Sequence, residues 1–218
     1  MRHIWIKRRG SDRLILFFNG WGQDERAVAH LATEADVLML YAYHDGADFD
    51  FSGLAAYRTV DLAAWSMGVW RASAVLWPAG LAFRRAIALC GTMTPVGDRQ
   101  GIPDAVFEAT LRGLSPRTLE KFNIRMAGGL SAYRASPLYG GGRDFSDVWD
   151  ELAWWAGRKT AAAPGCIWQT ALIGTQDGIF PLENQRRAWA QTGVRTVERE
   201  SPHYPMGKMT SWEDVFGI

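Results

Sequence analysis

Short apolar runs recur along the first part of the chain, separated by longer stretches in which apolar and polar residues mix. The runs at 14–18, 37–41, 60–65 and 86–89 are nearly continuous in Leu, Ile, Val, Phe, Ala and Met. Unbroken hydrophobicity of that length marks strands covered on both faces, whereas a half-exposed strand alternates. Residues 25–33 and 69–77 read as helices between them. Strand and helix in alternation predict an α/β fold, a mostly parallel twisted sheet with helices on both faces.

The alternation stops near Ile102. From there to Lys159 the chain reads as helices at 103–112, 116–126 and 145–159 with no strand between them. Ser115 ahead of Pro116 is an N-cap followed by a first-turn proline, and Gly128-Gly129 and Gly140-Gly141-Gly142 break up the remainder. Strand patterns return at 167–173 and 194–197, with a helix at 182–191 between them. We therefore expect a core formed by residues 1–101 and 161–218 and a helical lid inserted at 102–160.

Composition narrows the class without changing it. A chain of 218 residues with 48% apolar content can bury one substantial core. The net charge of +1 and a pI near 7.8 supply no global attraction to nucleic acid. Cys90 and Cys166 are too few for a disulfide scaffold and lie on apolar segments, as buried free thiols in a reducing cytoplasm do. Residues 1–9 lack the apolar centre of a signal peptide, and no run approaches the roughly 18 apolar residues of a membrane span. The expectation is a cytoplasmic protein with neither membrane nor nucleic-acid partner.

The chemistry begins at the end of the third run. Ala64-Trp65-Ser66-Met67-Gly68 has the spacing of a nucleophile elbow, a strand-to-helix turn so tight that the residues two before and two after the serine must be small. Upstream, Asn19-Gly20-Trp21-Gly22 ends the first run with a glycine-flanked turn, where such proteins carry an oxyanion loop. The oxyanion donors would be the backbone amides of Trp21 and Met67. Downstream, Asp177-Gly178 leaves the penultimate strand, and His203, between Pro202 and Pro205, follows the last. Of His3, His30, His44 and His203, only His203 lies beyond both serine and acid. This is the chain order of an α/β-hydrolase, with Ser66 as nucleophile, His203 as base and Asp177 as the acid that orients it. Trp21, Trp65 and Trp70 cluster near the elbow and suit an apolar substrate channel; His44, after a strand end, is a further candidate for the pocket wall. This chemistry requires neither metal nor redox cofactor.

Charge is uneven within the helical block. Between Arg112 and Arg143 lie Arg112, Arg117, Lys121, Arg125, Arg134 and Arg143 against Glu120 alone, a local net charge of +5. Arg117, Lys121 and Arg125 recur every four residues and fall on one helix face. Such a face is either solvated or steers an acidic partner to the rim of the site.

The residues resemble the pimeloyl-[acyl-carrier protein] methyl ester esterases of the BioG type. The resemblance rests on Phe18-Asn19-Gly20-Trp21-Gly22, Ala64 to Trp70, the lid opening Gly101-Ile102-Pro103, Asp177-Gly178-Ile179-Phe180-Pro181 with Asn184-Gln185, and His203-Tyr204-Pro205. Asn19 stands where many hydrolases carry histidine, and Ala64 where many carry glycine. The resemblance implies a serine carboxylesterase of biotin precursor synthesis that removes a methyl ester from a carrier-bound dicarboxylic acyl chain. It also implies that Arg112, Arg117, Lys121 and Arg125 receive the acyl-carrier protein. The alternatives are an esterase or thioesterase of the same fold acting on another acyl substrate, a lyase or C–C hydrolase using the same triad, and a degenerate fold that only binds.

Overall fold

Leu14 to Phe18 are buried without exception because they form the middle of a sheet, with a parallel neighbour on each side. In the computed structural model, which describes residues 1–45, 49–158 and 163–218, the strands are β1 (Arg2–Lys7), β2 (Arg13–Phe18), β3 (Asp36–Tyr41), β4 (Thr59–Trp65), β5 (Arg85–Leu89), β6 (Thr170–Gly174) and β7 (Arg195–Arg199). They form one sheet in the order β1-β3-β2-β4-β5-β6-β7, parallel throughout except for β1, which runs antiparallel to β3. This is an α/β-hydrolase fold. The edge strand β1 is not evident from hydrophobic runs, since its outer residues Arg2 and His3 are exposed.

Among the described residues, seven α-helices accompany the strands: α1 (Gly68–Leu76), α2 (Asp104–Arg112), α3 (Pro116–Met126), α4 (Leu130–Ala135), α5 (Phe145–Ala156), α6 (Leu182–Trp189) and α7 (Trp212–Phe216). Successive side chains of a strand point to opposite faces, and β2 shows that both are covered. Phe17 meets Trp212 of α7 edge to face at 5.6 Å between ring centroids. Phe18 stacks near Tyr43, which in turn meets Trp155 of α5. Trp155 also meets Trp70 of α1.

Three departures from expectation, among smaller shifts at the ends of elements, have a physical reason in the structure. The helix expected at 25–33 is only a 3-10 turn, Glu25–Ala27. Val28 leaves helical geometry at φ −139, and the chain is drawn out to bridge Ser211, with Ala32 exchanging backbone hydrogen bonds with Thr210 and Trp212. The strand expected from 167 starts at Thr170, because the indole N–H of Trp168 is committed to Ser73 Oγ of α1 at 2.8 Å. Among the described residues, four helices lie between β5 and β6 where three are expected. The glycines at 128 and 129, both at positive φ, end α3 and start the short α4. Lys159 and the expected boundary between 160 and 161 lie outside the described residues. Among those described, no helix is long and apolar enough to cross a membrane.

Candidate active site

Every residue singled out as nucleophile, acid or base follows the carboxyl end of a parallel strand, where open α/β sheets bind ligands. Chain order runs outward in one direction from β2 to β3 and in the other from β4, so the crevice opens where the ends of β2 and β4 adjoin. Ser66 leaves β4 at φ 59, a conformation costly for a residue with a side chain. Two glycines make room for it. A Cβ on Gly68 would lie 2.5 Å from the carbonyl oxygens of Phe18 and Asn19, and one on Gly91 would lie 2.2 Å from the carbonyl oxygen of Ser66 itself.

The structure brings Ser66, His203 and Asp177 into one hydrogen-bonded chain. His203 Nε2 is 2.9 Å from Ser66 Oγ, and His203 Nδ1 is 2.8 Å from Asp177 Oδ2. The side chain of His203 is 1% exposed and that of Asp177 is fully buried. Asp177 is held as an acceptor on every side: its Oδ1 takes the backbone N–H of Ile179 at 2.8 Å and of Phe180 at 2.9 Å, and its Oδ2 takes Gln185 Nε2 at 3.1 Å. In the tautomer that carries its proton on Nδ1, His203 donates to Asp177 and presents Nε2 as an acceptor to the Ser66 hydroxyl. The ring of Phe180 lies parallel to that of His203 at 5.7 Å. On its other flank His203 contacts Trp65, whose indole N–H donates to the carbonyl of His203 at 2.7 Å.

Around Ser66 lies a narrow apolar slot. Trp21, Trp65 and Met67 form its core side, and Phe107 of α2, Phe122 and Met126 of α3 and Leu152 of α5 form its roof. These roof residues are not identifiable from the sequence. Their only signal is the apolar stripe of each helix, and that stripe serves a core as well as a ligand. Among the described residues, neither the amide of Trp21 nor that of Met67 has an acceptor within the protein. Met67 stands as the N-cap of α1, so its amide points out of the helix start where partial positive charge gathers.

Trp70 and His44 do not line the slot. Trp70 is buried behind the elbow against Trp155, because its place on α1 turns it away from Ser66. His44 is drawn to Asp147, 3.1 Å from its Nε2. The basic residues also divide. Arg112, Arg117 and Lys121 are exposed on α2 and α3, and Arg125, also exposed, reaches the wall of the slot beside Gly178. Lys121 and Arg125 line a groove between α2 and α3 that shares Thr110, Phe122 and Arg125 with the slot. Arg143 is no part of a surface patch: it is 6% exposed and paired with Asp147 and with the buried Glu151.

A model of the family described as pimeloyl-ACP methyl esterase BioG matches residues 1–215. The crystal structure of BioG from Haemophilus influenzae superposes with a TM-score of 0.87 at 34% identity, covering 99% of this chain and 100% of that one. A malonyl-[acyl-carrier protein] O-methyltransferase of Bacteroides fragilis (strain 638R) is 39% identical over 193 residues, which is 87% of this chain but 39% of that protein. The chain thus spans about two fifths of the length of that relative. A lipase-esterase related protein from Clostridium acetobutylicum ATCC 824 superposes with a TM-score of 0.66 at 11% identity, over 95% of this chain and 93% of that one, a likeness of fold alone.

Proposed function

This chain belongs to the BioG family of pimeloyl-ACP methyl esterases, and from that premise we propose that it is a serine carboxylesterase acting on the methyl ester of pimeloyl-[acyl-carrier protein]. The observation that carries the reading is the hydrogen-bonded chain from Asp177 through His203 to Ser66, seated in an apolar slot. Ser66 Oγ attacks the ester carbonyl as His203 Nε2 takes its proton. The amides of Trp21 and Met67 receive the oxyanion. The tetrahedral intermediate then breaks its bond to the methoxy oxygen, which leaves as methanol with the proton from His203. Water, deprotonated by His203, attacks the acyl-enzyme and frees the carboxylic acid and Ser66.

The slot suits a slender acyl chain threaded end first, so that the terminal ester reaches Ser66 while the thioester stays outside. The helices α2 to α5 act as a lid, and Arg112, Arg117, Lys121 and Arg125 on it receive the acidic carrier protein. The product, a carrier-bound chain with a free distal carboxylate, is a biotin precursor. Two free cysteines, one of them buried, suit a cytoplasmic site of action. The relative named as a methyltransferase supports the same substrate class, an acyl chain on a carrier protein. Most of that protein lies outside the matched region, and the groups around Ser66 are those of ester hydrolysis rather than methyl transfer.

The test is methanol release from pimeloyl-carrier-protein methyl ester by wild type and Ser66→Ala, with a short p-nitrophenyl ester alongside and salt varied. Serine-dependent, salt-sensitive turnover of the carrier-bound ester is expected. Turnover of the small ester alone would overturn the assignment of substrate.

A further inference from the structure

Glu151 of α5 is a carboxylate with no exposure to solvent, 129 residues from the loop it serves. Its Oε2 accepts the backbone N–H of Gly22 at 3.1 Å, and its Oε1 accepts that of Tyr43 at 3.1 Å. The guanidinium of Arg143, 2.5 Å from Oε2, supplies the counter-charge and is itself held by Asp147 at 2.7 Å. Burying a carboxylate is costly unless it is paired and hydrogen-bonded. Here the compensating partners are two amides of irregular backbone, immediately after Trp21 and just beyond β3. One turn earlier on α5, the carbonyl of Val148 accepts the indole N–H of Trp21 at 2.9 Å. Tyr43 adds a third tie, its hydroxyl donating to the carbonyl of Asn19 at 2.6 Å. Gly22 sits at φ +71 with its Cα so close to Val148 that a Cβ would lie 3.1 Å from Val148 Cγ1. The peptide unit after Trp21, its side chain and the start of its loop are all fastened, and among the described residues the amide of Trp21 itself has no internal acceptor.

We infer that Glu151 is a positioning residue which, through the amides of Gly22 and Tyr43, aims the N–H of Trp21 at the carbonyl oxygen under attack by Ser66. The inference rests on the reading of Trp21 as an oxyanion donor in a serine esterase. It makes α5 part of the catalytic framework: the inserted block is fastened to the core at this helix, and any opening of the roof falls to α2 and α3.

Two variants test it. Glu151→Gln keeps the shape but sets an N–H2 against one of the two backbone donors. Glu151→Asp keeps the charge for Arg143 and shortens the reach by a methylene. With p-nitrophenyl butyrate, each folded variant is expected to lose about 10- to 100-fold in kcat with KM changed less than about threefold, since the interaction lost acts in the transition state. Affinity for butaneboronic acid, which forms a tetrahedral adduct on the serine, is expected to fall by the same factor. A folded Glu151→Asp with unchanged kcat would overturn the inference, as would a loss confined to KM with unchanged boronate affinity. Ser66→Ala separates this failure from a deeper one: if that variant still turns over the ester, the esterase reading has failed and the positioning role with it.

Discussion

The indole N–H of Trp65 donates to the backbone carbonyl of His203 at 2.7 Å, so the residue before Ser66 anchors the loop that carries His203. Ser66 and His203 are 137 residues apart, and their contact depends on two loops keeping one spacing. Trp65 fixes that spacing from within β4, the strand that also sets the elbow.

Removing this tie by Trp65→Phe keeps most of the buried ring but leaves the His203 carbonyl without its donor. An unsatisfied buried carbonyl costs about 1–2 kcal/mol, and a slackened histidine loop is expected to lower kcat about tenfold with little change in KM. Thermal unfolding together with steady-state kinetics on a small ester checks both halves. Loss of stability with unchanged kcat would show that the bond braces the fold and not the position of His203.

The elbow makes a sharper demand on Gly91. A methyl group there would sit 2.2 Å from the carbonyl oxygen of Ser66 and 2.9 Å from its Cα, so the backbone of Ser66 must shift. Gly91→Ala is expected to reduce kcat by at least about 100-fold, the scale of a displacement near 1 Å at a reacting group. Gly53→Ala is the control, because nothing lies within 4 Å of its added methyl, and it is expected to match wild type. Normal turnover by Gly91→Ala would mean that the elbow tolerates a different Ser66 geometry.

Ser66 and Asp177 were legible in the sequence because each stands close behind an apolar run, and runs of that kind are strands whichever way the rest folds; His203 was legible as the histidine that lies beyond both. What was not legible was carried by contacts without local pattern. Arg143, Asp147 and Glu151 are spaced four apart, as in a solvent-facing ladder of charges, and nothing in that spacing distinguishes exposed Arg117 from buried Arg143. Burial is decided by Tyr43 and Gly22, more than a hundred residues away. Trp70 was misplaced for a related reason. Proximity to Ser66 in sequence does not say which side of α1 a residue occupies, and Trp155 claims this one. The segment after Asp24 has helical composition but is straightened by its bridge to Ser211, a partner at the other end of the chain.

Acid stability is expected to depend on Asp61, far from the site along β4. Its carboxylate, 3% exposed, pairs with Arg84 and Arg85, and Arg85 is its register partner across to β5. Burial works to raise the carboxyl, but the two guanidiniums outweigh it and hold the pKa below the ordinary value. A depressed folded-state pKa contributes stability that is fully present above the unfolded value, about 3.9, and is lost as pH falls through the folded one. Asp61→Asn is therefore expected to destabilise at neutral pH by about 1–2 kcal/mol, a modest sum because both arginines reach solvent. The gap from wild type should narrow below about pH 4. Denaturant melts at pH 7 and pH 3 measure it, and a gap that stays constant with pH would mean that packing, not charge, is what Asp61 supplies.

The exposed arginines offer the means to separate docking from chemistry. Arg112 and Arg117 lie on α2 and α3 outside the slot, while Arg125 belongs to its wall, so charge reversal at the first two should disturb a partner without touching Ser66. For Arg112→Glu with Arg117→Glu, KM for the carrier-bound methyl ester is expected to rise about tenfold and its dependence on salt to weaken, since exposed charges act mainly on encounter and are screened within about 10 Å at 0.1 M salt. Kinetics on a p-nitrophenyl ester should stay at wild-type values. Arg125→Glu should depress both substrates, because its charge would face the acyl chain as well as the carrier. Equal loss on both substrates in the double variant would place the carrier elsewhere, and unchanged use of the carrier-bound ester would leave the basic face as a solvated surface only.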